Sequence, residues 1–449
     1  MPDRRGRERG PANSPAERRA HGVGLRRRVR RVAQGAWEPG RRREDPLAVL
    51  KEVNAPRIPE LVALKTFRMA ASPFGFFRGA APVMAADLAT LPVSGLSVQI
   101  CGDAHVRNLG AYAAPDGHLV FDLNDFDETT VGPWEWDLKR LATSLVLAGR
   151  EAGARPGRAR EAVRAFVRSY RETLGRLAGL TVLDLLKVEV RRHLESAVLH
   201  RVLAKAERVT PALSLAKLTV RGPRGERRFH DRPPLLHHVP ARVARAVLES
   251  LRSYRETLSP ERQIAFDAYR PVDVAFKVVG TGSVGTRDFV VLLFGHGSAD
   301  PLFLQVKEAL PSCCARYLPQ VPLYAHEGRR VAEGQHRMQT ATDPLLGWTR
   351  IDGRDFVVRQ LAAHKAGLEP ADLVDDALVR YAEVCGETLA KAHARTGDAA
   401  AIAGYCGRGT QLDRALVRFA LAYADQTESD HAALQHAIGT GRLTATIGA

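Results

Sequence analysis

The sequence predicts an α+β protein with two lobes, a small lobe built on an antiparallel sheet and a larger lobe that is mainly helical. The first observation is a run of three short apolar strands across residues 272–308, separated by glycine-containing turns. The second is a set of amphipathic segments, at residues 135–150, 157–178 and 371–395, whose apolar side chains recur at helical spacing. The third is the length of 449 residues, which is too great for one ordinary core.

The composition is that of a globular protein, with 45% hydrophobic residues. No apolar run approaches the roughly 18 residues that a membrane helix needs. The N-terminus lacks the apolar core of a signal peptide, so we expect a cytoplasmic protein without a membrane span. The five cysteines are odd in number and form no C-x-x-C pair, which favours reduced thiols over disulfides or a zinc site.

Residues 1–45 are the most basic part of the chain. They contain 14 Arg against 6 Asp and Glu, in a chain whose formal net charge is +16. So few apolar residues predict a disordered tail. Its arginines predict a weak, non-specific contact with nucleic acid or another polyanion, and a solvated tail with no partner is the alternative.

The densest group of acidic and amide side chains flanks a predicted β-hairpin between Gly102 and Glu128. Hard oxygen ligands of this kind suit Mg²⁺, which takes one or two carboxylates together with phosphate and water. An Asp- and Asn-rich set of turns that bond only to their own backbone is the alternative. The group consists of Asp103, Asn108, Asp122, Asn124, Asp125 and Asp127.

The spacing within this group indicates phosphoryl transfer. Asp103 and Asn108 form D-x-x-x-x-N, the spacing of a kinase catalytic loop. There the Asp accepts the proton of the attacking hydroxyl and the Asn holds a metal ion. Asp125 begins a D-F-D sequence where the metal-binding D-F-G of a kinase would fall, so Asn108 and Asp125 are predicted ligands, with Asp127 or Asp122 as a further one.

The next segment, GPWEWDLKRL from Gly132 to Leu141, resembles the G-D-P-x-x-D-L-A segment of aminoglycoside-phosphotransferase-like kinases. Two residues depart from that kinase pattern. Cys101 occupies the position of the His that precedes Gly-Asp in those kinases, and Asp127 replaces the Gly of D-F-G. A nucleotidyl transferase or an inactive nucleotide-binding relative is therefore an alternative outcome.

A glycine-rich turn, GTGSVG from Gly280 to Gly285, matches G-x-G-x-x-G. In a dinucleotide-binding unit this turn opens a helix, whereas here a strand follows and a third strand ends at Lys307. That is the kinase arrangement, in which the loop covers the nucleotide phosphates and the lysine pairs with them. A plain β-meander is the alternative. The predicted cofactor-binding residues are Gly280, Gly282, Ser283, Gly285, Lys307 and Glu333.

A helix predicted over 325–340 stands where helix αC of a kinase stands. Its glutamate should pair with Lys307, and Glu333 is favoured over Glu327. Leu361-Ala362 would then be the hinge between the lobes. Arg78, beside a glycine in the N-terminal part, could reach a phosphate with its planar guanidinium, and a surface arginine is the alternative.

These kinase-like parts occur in rotated order, because the catalytic and metal loops precede the glycine-rich loop. A circular permutation would produce this order, since chain ends at surface loops are easily relocated. The predicted division is a disordered tail at 1–45, a helical lobe with the catalytic and metal loops at 46–265, a small β lobe at 266–362, and a helical part at 363–449.

From about Asp45 onward the chain is identified as a member of an uncharacterised bacterial family, catalogued as domain of unknown function 2252. Membership of this family implies no activity. The motifs that carry the resemblance are RMxxSPFxFxRG at 68–79, GDAHxxN at 102–108, FDxNDFDE at 121–128, WEWDLKRL at 134–141 and YADQT at 423–427.

The leading hypothesis is Mg²⁺- and ATP-dependent phosphoryl transfer to an unidentified hydroxyl-bearing substrate, with Asp103, Asn108 and Lys307 as catalytic residues. The first alternative is a metal-dependent phosphohydrolase, in which His105 would be essential and Lys307 dispensable. The second is a non-enzymatic nucleic-acid-binding protein led by the arginine-rich tail.

Overall fold

The computed structural model is a mixed α and β structure, which confirms the predicted fold class at this level. It describes residues 14–190, 197–223, 225–278, 280–321, 324–361 and 366–446. The helices are α1 (Pro15–Leu25), α2 (Pro46–Asn54), α3 (Pro59–Ala70), α4 (Pro73–Gly79), α5 (Ala81–Ala89), α6 (Trp134–Glu151), α7 (Pro156–Leu177), α8 (Val182–Leu186), α9 (Ala197–Glu207), α10 (Pro211–Leu218), α11 (Ala241–Arg255), α12 (Pro260–Asp267), α13 (Glu327–Met338), α14 (Asp376–Thr396), α15 (Ala399–Cys406) and α16 (Gln411–Gly439). Short 3₁₀ helices cover Arg31–Gly35, Val106–Asn108, Ala315–Tyr317 and Pro370–Asp372. The strands are β1 (Ser97–Ile100), β2 (Leu109–Ala113), β3 (Leu119–Leu123), β4 (Thr130–Pro133), β5 (Thr219–Arg221), β6 (Arg227–Phe229), β7 (Leu236–His238), β8 (Arg270–Lys277), β9 (Asp288–Phe294), β10 (Pro301–Glu308), β11 (Gly347–Ile351) and β12 (Arg354–Gln360).

A six-stranded antiparallel sheet forms the centre of the smaller lobe. Its strands lie in the order β11-β12-β10-β9-β8-β7, and β8, β9 and β10 form a continuous meander. The apolar residues of β9 and β10 are buried on both faces of the sheet, because α11 packs beneath it and α10 with the β5–β6 hairpin covers the other side. The predicted run of three strands around the glycine-rich turn is therefore confirmed.

This lobe begins earlier than the predicted boundary at residue 266. Strand β7 pairs with β8, and Val247 and Tyr254 of α11 belong to the apolar core under the sheet. The three residues of β7 include two histidines and show no apolar alternation, so the sequence contains no strand signal at this position.

The larger lobe is a group of helices centred on α6, α7, α14 and α16. Helices α7 and α14 lie side by side, and their backbones approach closely at Gly386, where an added Cβ would lie 2.4 Å from the carbonyl oxygen of Phe166. Helix α16 is a single continuous helix of 29 residues. None of the helices in the described ranges is both long and apolar enough to cross a bilayer.

The N-terminal segment is ordered from residue 14 onward, so the prediction of a disordered tail is wrong for residues 14–45; the first thirteen residues lie outside the described ranges. Arg26 donates hydrogen bonds to backbone carbonyl groups near the end of α15. Arg43 forms ion pairs with Asp87 and Asp430, both of which are buried. The composition argument fails here because it treats every arginine as solvated, whereas several of these arginines bind other parts of the same chain.

The contact between α7 and α14 predicts opposite effects for two glycine substitutions. Gly386→Ala should lower the free energy of unfolding by roughly 2–4 kcal/mol, because the new methyl group would overlap the α7 backbone. Gly175→Ala, in α7 itself, should raise it by up to about 1 kcal/mol, because nothing lies within 4 Å of the new Cβ and alanine favours the helix. Urea denaturation of both variants measures their free energies of unfolding, and equal changes in the two variants would contradict the close packing of α7 against α14 at Gly386.

Candidate active site

One cavity of about 80 Å³ lies between the two acidic loops, the glycine-rich loop and helices α3 and α4. It joins residues that are far apart in the sequence but were predicted to share a site. Those that line it are Asp103, Asn108, Asp125, Asp127, Gly280, Gly282 and Ser283. Lys307 reaches this group through Asp127, and Gly285 lies at its margin, beside Arg57. Both predicted blocks therefore meet in one place.

A buried carboxylate on α6 holds the loop that carries Asp103. Asp137 accepts hydrogen bonds from the backbone N–H groups of Cys101 at 2.8 Å and Gly102 at 3.0 Å. Gly102 has a φ of 77°, and a Cβ there would lie 2.3 Å from the carbonyl oxygen of Glu128, so the loop requires glycine at this point. The predicted Asp-Leu helix thus fixes the position of the predicted catalytic aspartate.

Asp103 lies in a strongly charged and largely desolvated environment. The Nε and Nη2 atoms of Arg140 lie 2.7 and 2.6 Å from Asp103 Oδ1. Burial raises the pKa of Asp103 to about 6, the charge of Arg140 opposes this rise, and the charge of Asp125 adds to it. A carboxylate with this pKa is mostly ionised at neutral pH and can still accept a proton, which is what a general base requires.

Asn108 and Asp125 face the same cavity from the two ends of the hairpin. The side-chain amide of Asn108 donates to the backbone carbonyl oxygen of Asp103 at 2.8 Å, and the backbone carbonyl oxygen of Asn108 accepts from the N–H of Asn124 at 3.0 Å. Asp125 accepts a hydrogen bond from the N–H of Asp127 at 3.3 Å and forms no ion pair with any described residue. Its carboxylate is therefore available for a cation.

Lys307 forms an ion pair with Asp127, and the predicted pair with Glu333 is wrong. Glu333 instead binds two arginines of its own helix and lies away from the lysine. Burial lowers the pKa of Lys307, but the charges of Asp127 and Asp125 outweigh burial and raise it, so the ammonium stays charged. The lysine therefore contacts the acidic loop directly.

Helix α13, at the place predicted for the αC-like helix, contributes an arginine rather than a glutamate to the site. Arg330 is buried and donates to the carbonyl oxygens of Thr129 at 2.6 Å, Leu310 at 2.7 Å and Asp127 at 2.9 Å. The other candidate glutamate, Glu327, is the ion-pair partner of this arginine. The helix thus fixes the acidic loop, and the loop in turn fixes the lysine.

The glycine-rich loop is held over the cavity by the segment that leads into α3. Gly280 and Gly285 have φ values of 72° and 96°, which the loop's reversal requires. Arg57 donates from Nη1 to the carbonyl oxygen of Val284 at 2.8 Å, and the N–H of Ile58 donates to that of Gly285 at 2.8 Å. The loop therefore lies closed against the acidic side of the cavity. The predicted hinge at Leu361-Ala362 lies partly outside the described residues.

The oxygen atoms around the cavity suit a magnesium ion with an incomplete protein shell. Among the residues that the structure describes, no three His, Cys, Asp or Glu side chains are grouped as a metal site. Asn108, Asp125 and Asp127 offer an amide and two carboxylates, and Asp127 shares its charge with Lys307. Such a set fits Mg²⁺, which usually keeps waters and phosphate oxygens among its ligands.

Two further residues that the sequence placed at a metal, Asp122 and His105, form structural contacts, and of the two only His105 lines the cavity. Asp122 is buried in an ion pair with Lys391, away from the cavity. His105 accepts the N–H of Arg107 at its Nδ1 atom at 3.2 Å, and its Nε2 lies 3.8 Å from Asp103. Burial lowers the pKa of His105 well below its usual value, so the ring is neutral and orients the catalytic loop.

Several residues of the site carry no sequence signal that points to it. Arg140 is the exception, because it lies three residues after Asp137 on the same helix and its partner is the predicted catalytic aspartate. Lys65, Arg57 and Glu308 also line the cavity. In the sequence they are single charges on ordinary helices and strands, and only the folded chain brings them together.

The fold and the cavity define a two-lobed α+β protein whose cleft is lined by acidic loops and a glycine-rich loop. The chain belongs to the family described as uncharacterized protein conserved in bacteria, DUF2252, whose model matches residues 57–437. This match confirms the membership predicted from the motifs, and it spans both acidic loops, the glycine-rich loop and Lys307. No curated protein and no solved structure matches the chain.

The contact from Asp137 to the catalytic loop predicts a large loss of stability on substitution. Asp137→Asn should lower the free energy of unfolding by roughly 2–4 kcal/mol, because an amide can accept from only part of the set that the carboxylate satisfies. Asp425→Asn is the matched control, since its ion pair with Arg150 is exposed and should contribute less than about 1 kcal/mol. Chemical denaturation of both variants gives the comparison, and equal losses would contradict the proposed anchoring.

Asp288, which lies opposite Lys307 in the sheet, predicts a pH-dependent stability. Its Oδ2 accepts from Gln305, its Oδ1 is buried without a hydrogen-bond partner in the described chain, and burial raises its pKa to about 7. Because the folded-state pKa is higher than the unfolded value near 3.9, protonation of Asp288 stabilises the protein at low pH, and this contribution is lost as pH rises from about 4 to 7.

Between pH 5 and pH 8 the wild type should therefore lose on the order of 2 kcal/mol more stability than Asp288→Asn, which cannot ionise at this position. Urea denaturation of both proteins at the two pH values measures this difference. If the difference in unfolding free energy between the two proteins is the same at pH 5 and pH 8, Asp288 is already charged in the folded protein at pH 5.

Proposed function

We propose that this protein is a Mg²⁺- and ATP-dependent phosphotransferase that acts on a hydroxyl-bearing substrate, with a protein-kinase-like fold in circularly permuted order. The observation that carries the proposal is the single cavity that joins the Asp103–Asp127 block to the Gly280–Gly285 loop. Neither block alone is specific, because D-x-x-x-x-N and G-x-G-x-x-G both arise in unrelated proteins. Their convergence on one cavity supports a shared ligand.

In this proposal the chain's own residues position the reactants. Asp103, held by the loop contacts to α6 and ion-paired with Arg140, orients the acceptor hydroxyl and takes its proton. Asn108 and Asp125 hold Mg²⁺, with Asp127 as a further ligand. The ion supplies neutralisation of phosphate charge when it is bound. Lys307 remains charged beside Asp127 and is placed to contact the nucleotide phosphates beneath the glycine-rich loop.

The proposed permutation is supported by the position of the last long helix. The end of α14 lies beside the strand that leads into the catalytic loop: the N–H of Gln99 donates to the hydroxyl of Thr396 at 3.2 Å. At the next residue, a Cβ built on Gly397 would lie 2.5 Å from a methyl group of Val98. In a kinase of ordinary order a long helix runs directly into the catalytic loop, and here the two elements meet in space without being joined at that point.

The alternatives receive less support from the geometry. The phosphohydrolase requires His105 at a metal, whereas its ring binds the backbone of its own loop. The nucleic-acid-binding protein requires a free arginine tail, whereas arginines of the ordered part of that segment bind buried carboxylates and carbonyl groups. The cytoplasm is the proposed compartment, because it supplies ATP and keeps thiols reduced, and all five cysteines are free in the structure.

Mg·ATP binding tests the proposal through Asp125→Asn and Lys307→Met. Calorimetry should show Mg²⁺-dependent ATP binding to the wild type, weakened at least about tenfold in both variants, because each removes a charge that contacts the bound complex. ATP at a hundredfold excess over Kd should also raise the free energy of unfolding of the wild type by about 2.7 kcal/mol.

Glu333→Gln is the matched control, because Glu333 was a plausible ligand from the sequence but lies away from Lys307; it should bind Mg·ATP like the wild type. Asp103→Asn should retain nucleotide binding and lose about 10²-fold or more of any phosphoryl transfer or ATP hydrolysis. Failure of the wild type to bind Mg·ATP, or equal binding by Asp125→Asn and Lys307→Met, would overturn the proposal.

A further inference from the structure

Three cationic side chains line the same cavity without forming an ion pair to any described residue. They come from the N-terminal helical segment, which has no counterpart among the kinase-like motifs of the sequence. Arg57 lies just before α3, Lys65 lies within α3, and Arg78 lies within α4. Together these three residues form a cationic trio.

Lys65 is the most unusual member of the cationic trio. Its side chain is buried, with only 2% of the residue exposed, yet among the residues that the structure describes its ammonium donates only to the amide oxygen of Asn54, at 3.0 Å. Burial and the charge of Arg57 lower the pKa of Lys65 well below its usual value, and the carboxylates of Glu128 and Asp103, which form no ion pair with it in the described chain, offset this only in part. A buried lysine that faces a cavity in this way is suited to an anion that enters the cavity.

The two arginines of the cationic trio have unused donors at the same place. The Nε atoms of Arg57 and Arg78 are buried and have no hydrogen-bond partner in the described part of the chain. Arg57 uses one of its other nitrogen atoms to hold the carbonyl oxygen of Val284. Guanidinium groups with free donors match the oxygen atoms of phosphate better than those of smaller anions.

The cationic trio lines the same cavity as the glycine-rich loop and Asp103. A Cβ built on Gly282 would lie 3.4 Å from the carbonyl oxygen of Arg78 and 3.9 Å from Oδ2 of Asp103. One built on Gly285 would lie 3.0 Å from the Cβ of Arg57. An anion bound by the trio would therefore lie beneath the loop and next to the group that is proposed to activate the acceptor.

We infer that Arg57, Lys65 and Arg78 form a binding site for a phosphoryl group. The inference deepens the proposed function, on which the assignment of this group to the reaction rests, while the anion chemistry of the site stands on the three side chains alone. Two sources carry the same chemistry: the terminal phosphate of the nucleotide, or a phosphate already present on the acceptor.

Binding of inorganic tripolyphosphate, measured by calorimetry at pH 7 without a nucleotide, tests the site. The wild type should bind it, and Lys65→Met and Arg78→Gln should each bind it at least about tenfold more weakly, because each removes one charged donor. Lys139→Met is the matched control, since Lys139 is equally buried (1% exposed), stacks on the ring of Phe419, forms no ion pair with a described residue and lies outside the cavity. It should bind tripolyphosphate within about twofold of the wild type.

Thermal unfolding separates loss of binding from loss of structure. Without an anion, Lys65→Met should unfold at the wild-type temperature or above it, because methionine fills the same volume without a buried charge. Arg78→Gln provides a second variant on another helix, so the test does not depend on the folding of one protein. Unchanged tripolyphosphate affinity in both variants, or no binding by the wild type, would overturn the site.

Nucleotides distinguish the two sources of the phosphoryl group. If the site binds the terminal phosphate of the nucleotide, Lys65→Met should lower the affinity for ATP at least about tenfold and leave the affinity for AMP unchanged. If it takes a phosphate on the acceptor, ATP binding should be unchanged, and inorganic phosphate should bind to the wild type but not to Lys65→Met in the presence of Mg·ADP. A wild type that binds tripolyphosphate but does not bind Mg·ATP would reject the phosphotransferase and retain the anion site.

Discussion

The carboxylate of Asp137 is the interaction on which the rest of the site depends. It accepts the N–H groups of Cys101 and Gly102 and is itself contacted by Nε2 of His393 at 3.3 Å. The other ring nitrogen of this histidine lies 2.8 Å from the hydroxyl of Tyr170. One buried chain of polar groups therefore links α6, α7 and α14 to the loop that carries Asp103, so the interior of the helical lobe determines the position of that loop.

The two lobes meet through charge rather than through a shared apolar core alone. Lys307 comes from the sheet and Asp127 from the acidic loop, while Arg330 on α13 binds the backbone of that loop. Both glutamates of this helix pair with its own arginines, and the negative partner of Lys307 is Asp127 on the acidic loop. In the proposed function, Asp127 would divide its charge between Lys307 and a bound cation, which would couple metal binding to nucleotide contact.

The parts that the sequence could predict are those in which the signal is local. The order of loop, hairpin and second acidic loop follows from turn residues and short apolar runs, and the glycine-rich turn lies between alternating strands, so both were recognised and placed correctly. The partner of Lys307 was wrong because three or four acidic residues lie within plausible reach of a lysine, and only the tertiary arrangement selects Asp127. Residues 14–45 were wrongly predicted to be disordered, because composition does not show which groups an arginine will bind in the folded chain. Lys65 was missed because burial of a charged residue on a helix depends on what packs around it.

Helix α3 belongs to two hydrophobic clusters at once. Leu64 packs in the core beneath the sheet, whereas Met69 packs with Phe76 in the core of the N-terminal helices, and the segment that leads into α3 holds the glycine-rich loop shut. The loop therefore cannot lift alone in the manner of a free flap. In the proposed function, entry of a nucleotide would require α3 to move together with the loop, so a conformational step rather than diffusion would set the rate of association.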